Sequence, residues 1–405
     1  MNKDNFAQLR RELEAELKGN ILPYWMKYTP DPDGGGFHGH VSHSNEAIEK
    51  APKGAVMNAR ILWTFAAVYR VYPESSYLEM AQRAFHYILD HFLDKEFGGV
   101  YWELDYKGKV TASRKQIYAL AYTIYAMAEY HMACGDNRAL ETAIALFHNI
   151  EEYALDGEKG GYTEALSREW KPVEDLRLSE KDHNESKTMN THLHILEAYT
   201  NLYRVWKDPR LENALENTIQ LFLDRFVDSR TFHLNLFFDE NWTLKSNLIS
   251  YGHDIECAWL LHEAAEILGK PELVKKTGEL AVQMARENFQ GLDKDGGLFY
   301  EFFPSELRLD TDKHWWPQAE AMVGYFNAYQ LSGEQDFALK ALGSWEFIKK
   351  YMVDSKYGEW YWSVDREGTP QTAKEKAGFW KCPYHNGRAC MEIISRINHI
   401  NHLAS

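Results

Sequence analysis

The 405-residue chain carries 45 Lys and Arg against 60 Asp and Glu, a formal charge of −15, so it offers no net basic field to nucleic acid or to anionic lipid. A mean hydropathy of −0.51 and an apolar share of 45% fit a globular chain in water, and no stretch approaches the ~20 consecutive apolar residues of a membrane helix. The four cysteines lack CxxC spacing and indicate neither a disulfide framework nor a zinc site, while 14% aromatic residues beside 17 His is an unusual supply of rings.

In chain order, the first pattern is a charged amphipathic helix near 5 to 27, without the apolar core of a signal peptide, which points to a cytosolic chain. A glycine-aromatic segment follows, DGGGFHGHVS at Asp33, and then two helical patterns near 54 to 72 and 76 to 94. The same unit returns: FGGVYWELDYKG at Phe97 before helices near 113 to 133 and 137 to 153, and KGGYTEALS at Lys159 before 188 to 206 and 209 to 227. The fourth copy, TFHLNLFFDENWTLK at Thr231, has lost its glycines and precedes 250 to 268 and 271 to 289. DGGLFYEFFPS at Asp295 precedes 313 to 332 and 335 to 352, and YGEWYWSVDREG at Tyr357 precedes a last helix near 384 to 402. The helices are read from apolar residues at i, i+3, i+4 and i+7, and the turns YPESS, CGDN, KDPR, GKPE and SGEQD break each pair. Alternation in VYWELDYKGK and WYWSVDREGT predicts short β-hairpins.

Twelve helices in six units, with the first and last each lacking a partner, predict one domain over 1–405: an all-α (α/α)6 barrel closed on itself, not an open solenoid. The first helix of each pair is rich in small and apolar residues (AYTIYAMAEY, ECAWLLHEAAEIL), as an inner ring would be; its partner is more amphipathic. All six inner N-terminal ends then meet at one rim.

That rim gathers Arg60, Tyr118, Asn190 with His194, His253 with Glu256, Trp315 with Trp316 and Glu320, and His385. His253 has Glu256 three residues on, hence on its face, and reads either as a general base steered by a carboxylate or as a buried histidine satisfied by a local acid. Asn190 shares a face with His194, which selects His194 over His192. Adjacent tryptophans cannot both fill one core, so at least one of Trp315 and Trp316 is expected at a cavity, with Trp380 and Tyr118 as further walls for the C–H faces of a sugar. Arg60 is a cation on an apolar helix and needs a carboxylate or a ligand oxygen. The acidic run around residue 180 is expected to be solvated loop from which Asp182 can reach the rim. No phosphate-binding glycine fingerprint, HExxH or GxSxG occurs, and histidines on three helices with few converging carboxylates predict no catalytic metal.

ARILWTF, NTHLHILEAY, YGHDIE, KHWWPQAEA, GEWYWSVDREG and FWKCPYHNGR, in this order across essentially the whole chain, resemble the cellobiose 2-epimerase branch of the N-acylglucosamine 2-epimerase superfamily. The resemblance implies an (α/α)6 barrel, no metal or nucleotide cofactor, and epimerisation at C2 of the reducing-end glucose of β-1,4-linked disaccharides through ring opening and a cis-enediolate. It assigns His253 and His385 as the acid/base pair, with His194 at the O1 and O5 end and Arg60 on the developing oxyanion. Glu256 tunes His253, Asn190 and Asp182 bind hydroxyls, and Trp315, Trp316 and Trp380 stack on the sugar rings. The partner is a small-molecule disaccharide, and a monomer is the default expectation. The alternatives are an N-acylglucosamine 2-epimerase, a mannose-type aldose–ketose isomerase, an inverting glycoside hydrolase with two carboxylates across the cavity, or a non-catalytic sugar binder.

Overall fold

The computed structural model describes residues 3–403; Met1, Asn2, Ala404 and Ser405 of the domain expected over 1–405 lie outside them. α1 (Lys3–Glu16) runs through a π turn (Leu17–Ile21) into α2 (Leu22–Tyr28). Five helix pairs follow: α3 (Ala55–Val71) with α4 (Ser75–Tyr87), α5 (Ile117–Cys134) with α6 (Asn137–Tyr153), α7 (Met189–Val205) with α8 (Pro209–Leu221), α9 (Tyr251–Leu268) with α10 (Pro271–Glu287), and α11 (Trp315–Ser332) with α12 (Gln335–Phe347). α13 (Tyr384–Leu403) closes the chain. Helices α3, α5, α7, α9, α11 and α13 each touch the next, α13 returns to α3, and α1 packs on α13. This is the closed (α/α)6 barrel, with the N-terminal helix as the twelfth member.

Side-chain chemistry explains which ring each helix joins. α5 and α9 bury nearly every residue, because Ala and Gly let neighbours approach from all sides. α6 and α10 are polar on one face and bury only a stripe, Ala139, Ala143, Leu146, Phe147 and Ile150 in α6. No helix among the described residues is long and apolar enough to cross a membrane.

The glycine-aromatic segments form the rim, and their pairing differs in part from the expected hairpins. β1 (Glu103–Leu104) with β2 (Val110–Ala112), and β3 (Glu301–Phe303) with β4 (Arg308–Asp310), are hairpins. Elsewhere the two residues before an inner helix pair with the next unit's segment, as Lys53 does with Leu104, Lys115 with Leu166, Lys187 with Phe238 and Lys313 with Val364. Each unit is thereby stapled to the following one.

A second repeat lies inside these segments. Asp31, Asp94, Asp156, Asp293 and Asp354 each accept a buried lysine ammonium, from Lys53, Lys115, Lys187, Lys313 and Lys376 respectively, at 2.7 to 2.9 Å. The fourth copy departs from this rule as it does from the glycine rule. Ile249 stands where the lysine would be, and Phe232 takes the left-handed backbone (φ 56°) that Gly98, Gly160 and Gly296 take elsewhere, a conformation costly for a bulky side chain.

Candidate functional site

The N-terminal ends of the inner helices and the segments before them enclose one cavity of about 860 Å³, a size suited to a drug-sized ligand. Eleven of the twelve residues expected at the site line it: Arg60, Tyr118, Asp182, Asn190, His194, His253, Glu256, Trp315, Trp316, Trp380 and His385. Glu320, expected at the rim, does not; it stands behind His385, bonded to its Nδ1, and so is corrected from a cavity-wall residue to a partner of that histidine.

The three imidazoles are held in three ways. His385 donates Nδ1–H to Glu320 Oε1 at 2.7 Å. His194 donates Nδ1–H to Glu197 Oε2 at 3.0 Å, and its Nε2 lies 3.2 Å from the Tyr122 hydroxyl. His253 has no carboxylate: its Nδ1 is 2.8 Å from Ser250 Oγ. The expected pairing of His253 with Glu256 is therefore wrong, because the nearby guanidinium of Arg388 draws Glu256 away. His192 is structural as expected, with Nδ1–H on the Thr188 carbonyl and Nε2 accepting from Tyr162 N–H. Burial pushes His253 down to about 3, with repulsion from His194 and His385 adding to it. His385 is likewise pushed down to about 3 by burial, but Glu320 works in the opposite direction.

Arg388 was missed by sequence reasoning, and it organises the floor. Its Nη2 donates to Glu256 Oε1 at 2.9 Å and to Glu320 Oε1 at 2.7 Å, while Nη1 bonds Glu197 and Tyr384. The expectation of few converging carboxylates is thus overturned, since three buried glutamates meet one arginine. Burial and repulsion from Glu320 raise Glu256 well above the usual carboxylate range. Glu320 itself is held low: Arg388 and His385 more than offset its burial. Glu256, Glu320 and His385 could in principle hold a cation; the positive charge among them is the guanidinium of Arg388.

Arg60 meets no carboxylate. Its Nη2 donates to the hydroxyls of Tyr118 (2.9 Å) and Tyr122 (2.7 Å), its Nη1 to the Trp380 carbonyl, and its buried Nε has no partner. Since the guanidinium only donates, the Tyr122 hydroxyl accepts from it and turns its own hydrogen to His194 Nε2.

The model of the N-acylglucosamine 2-epimerase family matches residues 35–389. The chain is 50% identical over 386 residues to the cellobiose 2-epimerase of Bacteroides fragilis, covering 95% of this chain and 98% of that one. The chain belongs to the N-acylglucosamine 2-epimerase family. It is similar in structure to the cellobiose 2-epimerase of Spirochaeta thermophila, with a TM-score of 0.92, 39% identity and 98% of both chains covered. The corresponding figures for that of Bacillus thermoamylovorans are 0.91 and 38%, over 96% of this chain and 100% of that one. Membership makes the protein a carbohydrate epimerase, an isomerase.

Aromatic rings form the family member's cavity walls. Trp316 lies against His253 (centroids 4.7 Å apart) and His385 (5.7 Å). Gly252 makes that approach possible, since a Cβ there would fall 2.5 Å from the Trp316 ring. Trp315 packs on Trp362, and Trp380 on Trp102 and Phe379. The run around residue 180 is more than solvated loop, because Arg177 to His183 form a wall with His183 stacked on Phe237. Asp182 accepts from Ser179 N–H and Oγ–H, and the Asn190 side-chain oxygen is buried without a partner. Glu164 also escaped notice; it accepts from Thr188 and Thr191, and burial raises it to about 8.

Proposed function

We propose that the chain epimerises C2 of the reducing-end glucose of a β-1,4-linked disaccharide, converting cellobiose to glucosyl-mannose. The observation that carries this reading is the pair His253 and His385, set against one Trp316 ring, each with Nδ1 engaged by protein and Nε2 available to the cavity. Inversion at carbon needs a base on one face and an acid on the other, and imidazole serves as either.

The C2 hydrogen is acidic only when C1 is an aldehyde, so the pyranose opens first by moving a proton from O1 to O5, which falls to His194. One imidazole then takes the C2 proton to give a cis-enediolate, whose charge Arg60 faces from a desolvated site. The other imidazole returns a proton to the opposite face of C2, and the ring closes. One imidazole must carry the proton that the other lacks; burial pushes both rings down, and the carboxylate of Glu320 behind His385 favours the proton there. Asn190 and Asp182 bind hydroxyls, Trp315, Trp316 and Trp380 stack on the two rings, and Glu256 lines the cavity in its neutral form.

The test is incubation with cellobiose in D2O followed by NMR. Deuterium at C2 with glucosyl-mannose accumulating is the expected result; free glucose would indicate a hydrolase, a ketose an isomerase, and no change a binder.

A further inference from the structure

The fourth unit has lost both its glycine and its lysine, and what replaces them sits beside His253. His233 stands next to Phe232 in the segment, and its Nδ1–H donates to Asp254 Oδ2 at 2.7 Å. The other oxygen of Asp254 accepts Leu234 N–H at 2.8 Å. Both side chains are buried, and Asp254 is the fourth residue of α9, adjacent in the chain to His253. Asp228, the aspartate that a lysine holds in the other five units, here accepts the backbone N–H groups of Arg230 and Thr231, and the cation it meets among the described residues is the exposed Arg230 guanidinium at 3.5 Å.

Equivalent positions show that the replacement is specific to this unit. The residue matching Asp254 is His192 in the third unit and Gln318 in the fifth. Each accepts a backbone N–H from its segment, of Tyr162 at 2.9 Å and Leu298 at 2.7 Å. Among these three only Asp254 carries a charge, and it meets an imidazole of the same segment. Burial lowers His233, but the Asp254 carboxylate outweighs it, with Glu287 of α10 and Asp228 adding, so the net shift is upward. Burial raises Asp254, and His233 opposes that rise; the two form a buried hydrogen-bonded pair, an ion pair when His233 is protonated, which is costly to break from one side.

His253 needs such support more than His385 does. Its Nδ1 has only the Ser250 hydroxyl; Ser250 is the N-cap of α9 and His253 lies in the first turn. That turn is fastened to the fourth segment through Asp254. We propose that the His233–Asp254 pair is a positioning device for His253, doing in the fourth unit what the lysine–aspartate pairs do in the other five. The proposal rests on the reading of His253 as a proton-transfer residue.

The variant Asp254→Asn keeps the size and one acceptor for Leu234 N–H while removing the charge. It should lower kcat about tenfold to a hundredfold, the range for a displacement approaching 1 Å in a reacting group, with KM for cellobiose unchanged. In ¹⁵N NMR the His253 imidazole signals should move while those of His385 stay in place. His233→Gln should act in the same way and serves if Asp254→Asn fails to fold. The triple variant His233→Gly, Ile249→Lys, Asp254→Gln installs the arrangement of the fifth unit, with Gly297, Lys313 and Gln318, and should recover kcat. A folded Asp254→Asn with unchanged kcat, or one in which His253 and His385 shift alike and KM rises with the loss of kcat, would overturn the proposal. If wild-type protein shows no exchange at C2, the epimerase reading fails, whereas the NMR comparison still decides whether the pair positions His253.

Discussion

The two sides of the cavity present the same imidazole in opposite electrostatic settings. On the α13 side, His385 leans on Glu320, which is tied to Arg388 and through it to Glu256 and Glu197. On the α9 side, His253 leans on a serine hydroxyl and is further disfavoured as a cation by its neighbours. Two chemically identical groups, both pushed down to about 3 by burial, are thereby given unequal neighbours: the Glu320 carboxylate favours a proton on His385, and His253 has only a hydroxyl at its Nδ1. A pair of bases that must pass a proton across a carbon benefits from that inequality, because two equally charged or equally neutral imidazoles would leave one face without its partner.

The strongest way to break this comparison is to remove either ring. His253→Ala and His385→Ala should each lower C2 exchange by about 10²- to 10⁴-fold, the usual share of a general acid or base, with the circular dichroism spectrum unchanged. Glu320→Gln should cost about tenfold to a hundredfold in kcat, comparable to losing the orienting partner of a functional histidine. It should also shift the pH profile. The carboxylate stabilises the imidazolium, so its loss makes His385 release its proton at lower pH, and the alkaline limb of kcat/KM should move to lower pH. Trp316→Ala should raise KM more than it lowers kcat, by about fivefold for a lost stacking contact worth ~1 kcal/mol; substrate titration checks the split. Ser250→Ala should be mildest, below tenfold in kcat for one neutral hydrogen bond of ~1 kcal/mol, and should leave the alkaline limb where it is. If Ser250→Ala moves that limb as far as Glu320→Gln does, the two histidines are not unequal in the way their surroundings indicate.

Much of the barrel was legible because its signals are periodic. The spacing of glycine segments located six units, and apolar spacing located each helix to within a few residues. His194, His253 and His385 emerged together because they recur near the starts of inner helices. What stayed hidden depends on closure. Arg388 and Glu197 are 191 residues apart, and each reads locally as one more polar residue on a helix, so the cluster that orders the histidines has no local pattern. Glu256 was misassigned for the same reason: its i+3 spacing to His253 is real, but the stronger attraction comes from α13. The lysine–aspartate pairs had a signal that was passed over, a lysine two residues before four of the six inner helices; before α13 the position is Cys382 and the lysine lies farther upstream at Lys376, while Ile249 before α9 marks the unusual fourth unit. The carboxylates that closure brings together are engaged by Arg388 and the imidazoles, which separates this floor from the two free carboxyls an inverting hydrolase needs.

The most direct test follows the isotope in the first turnovers. Starting from protiated cellobiose in D2O, a two-histidine transfer delivers a solvent-derived deuteron to the new face, so early glucosyl-mannose should carry deuterium at C2 while recovered cellobiose remains protiated. Early product that retains the substrate hydrogen, or recovered cellobiose that gains deuterium as fast as product forms, would mean that one base serves both faces and would contradict the account.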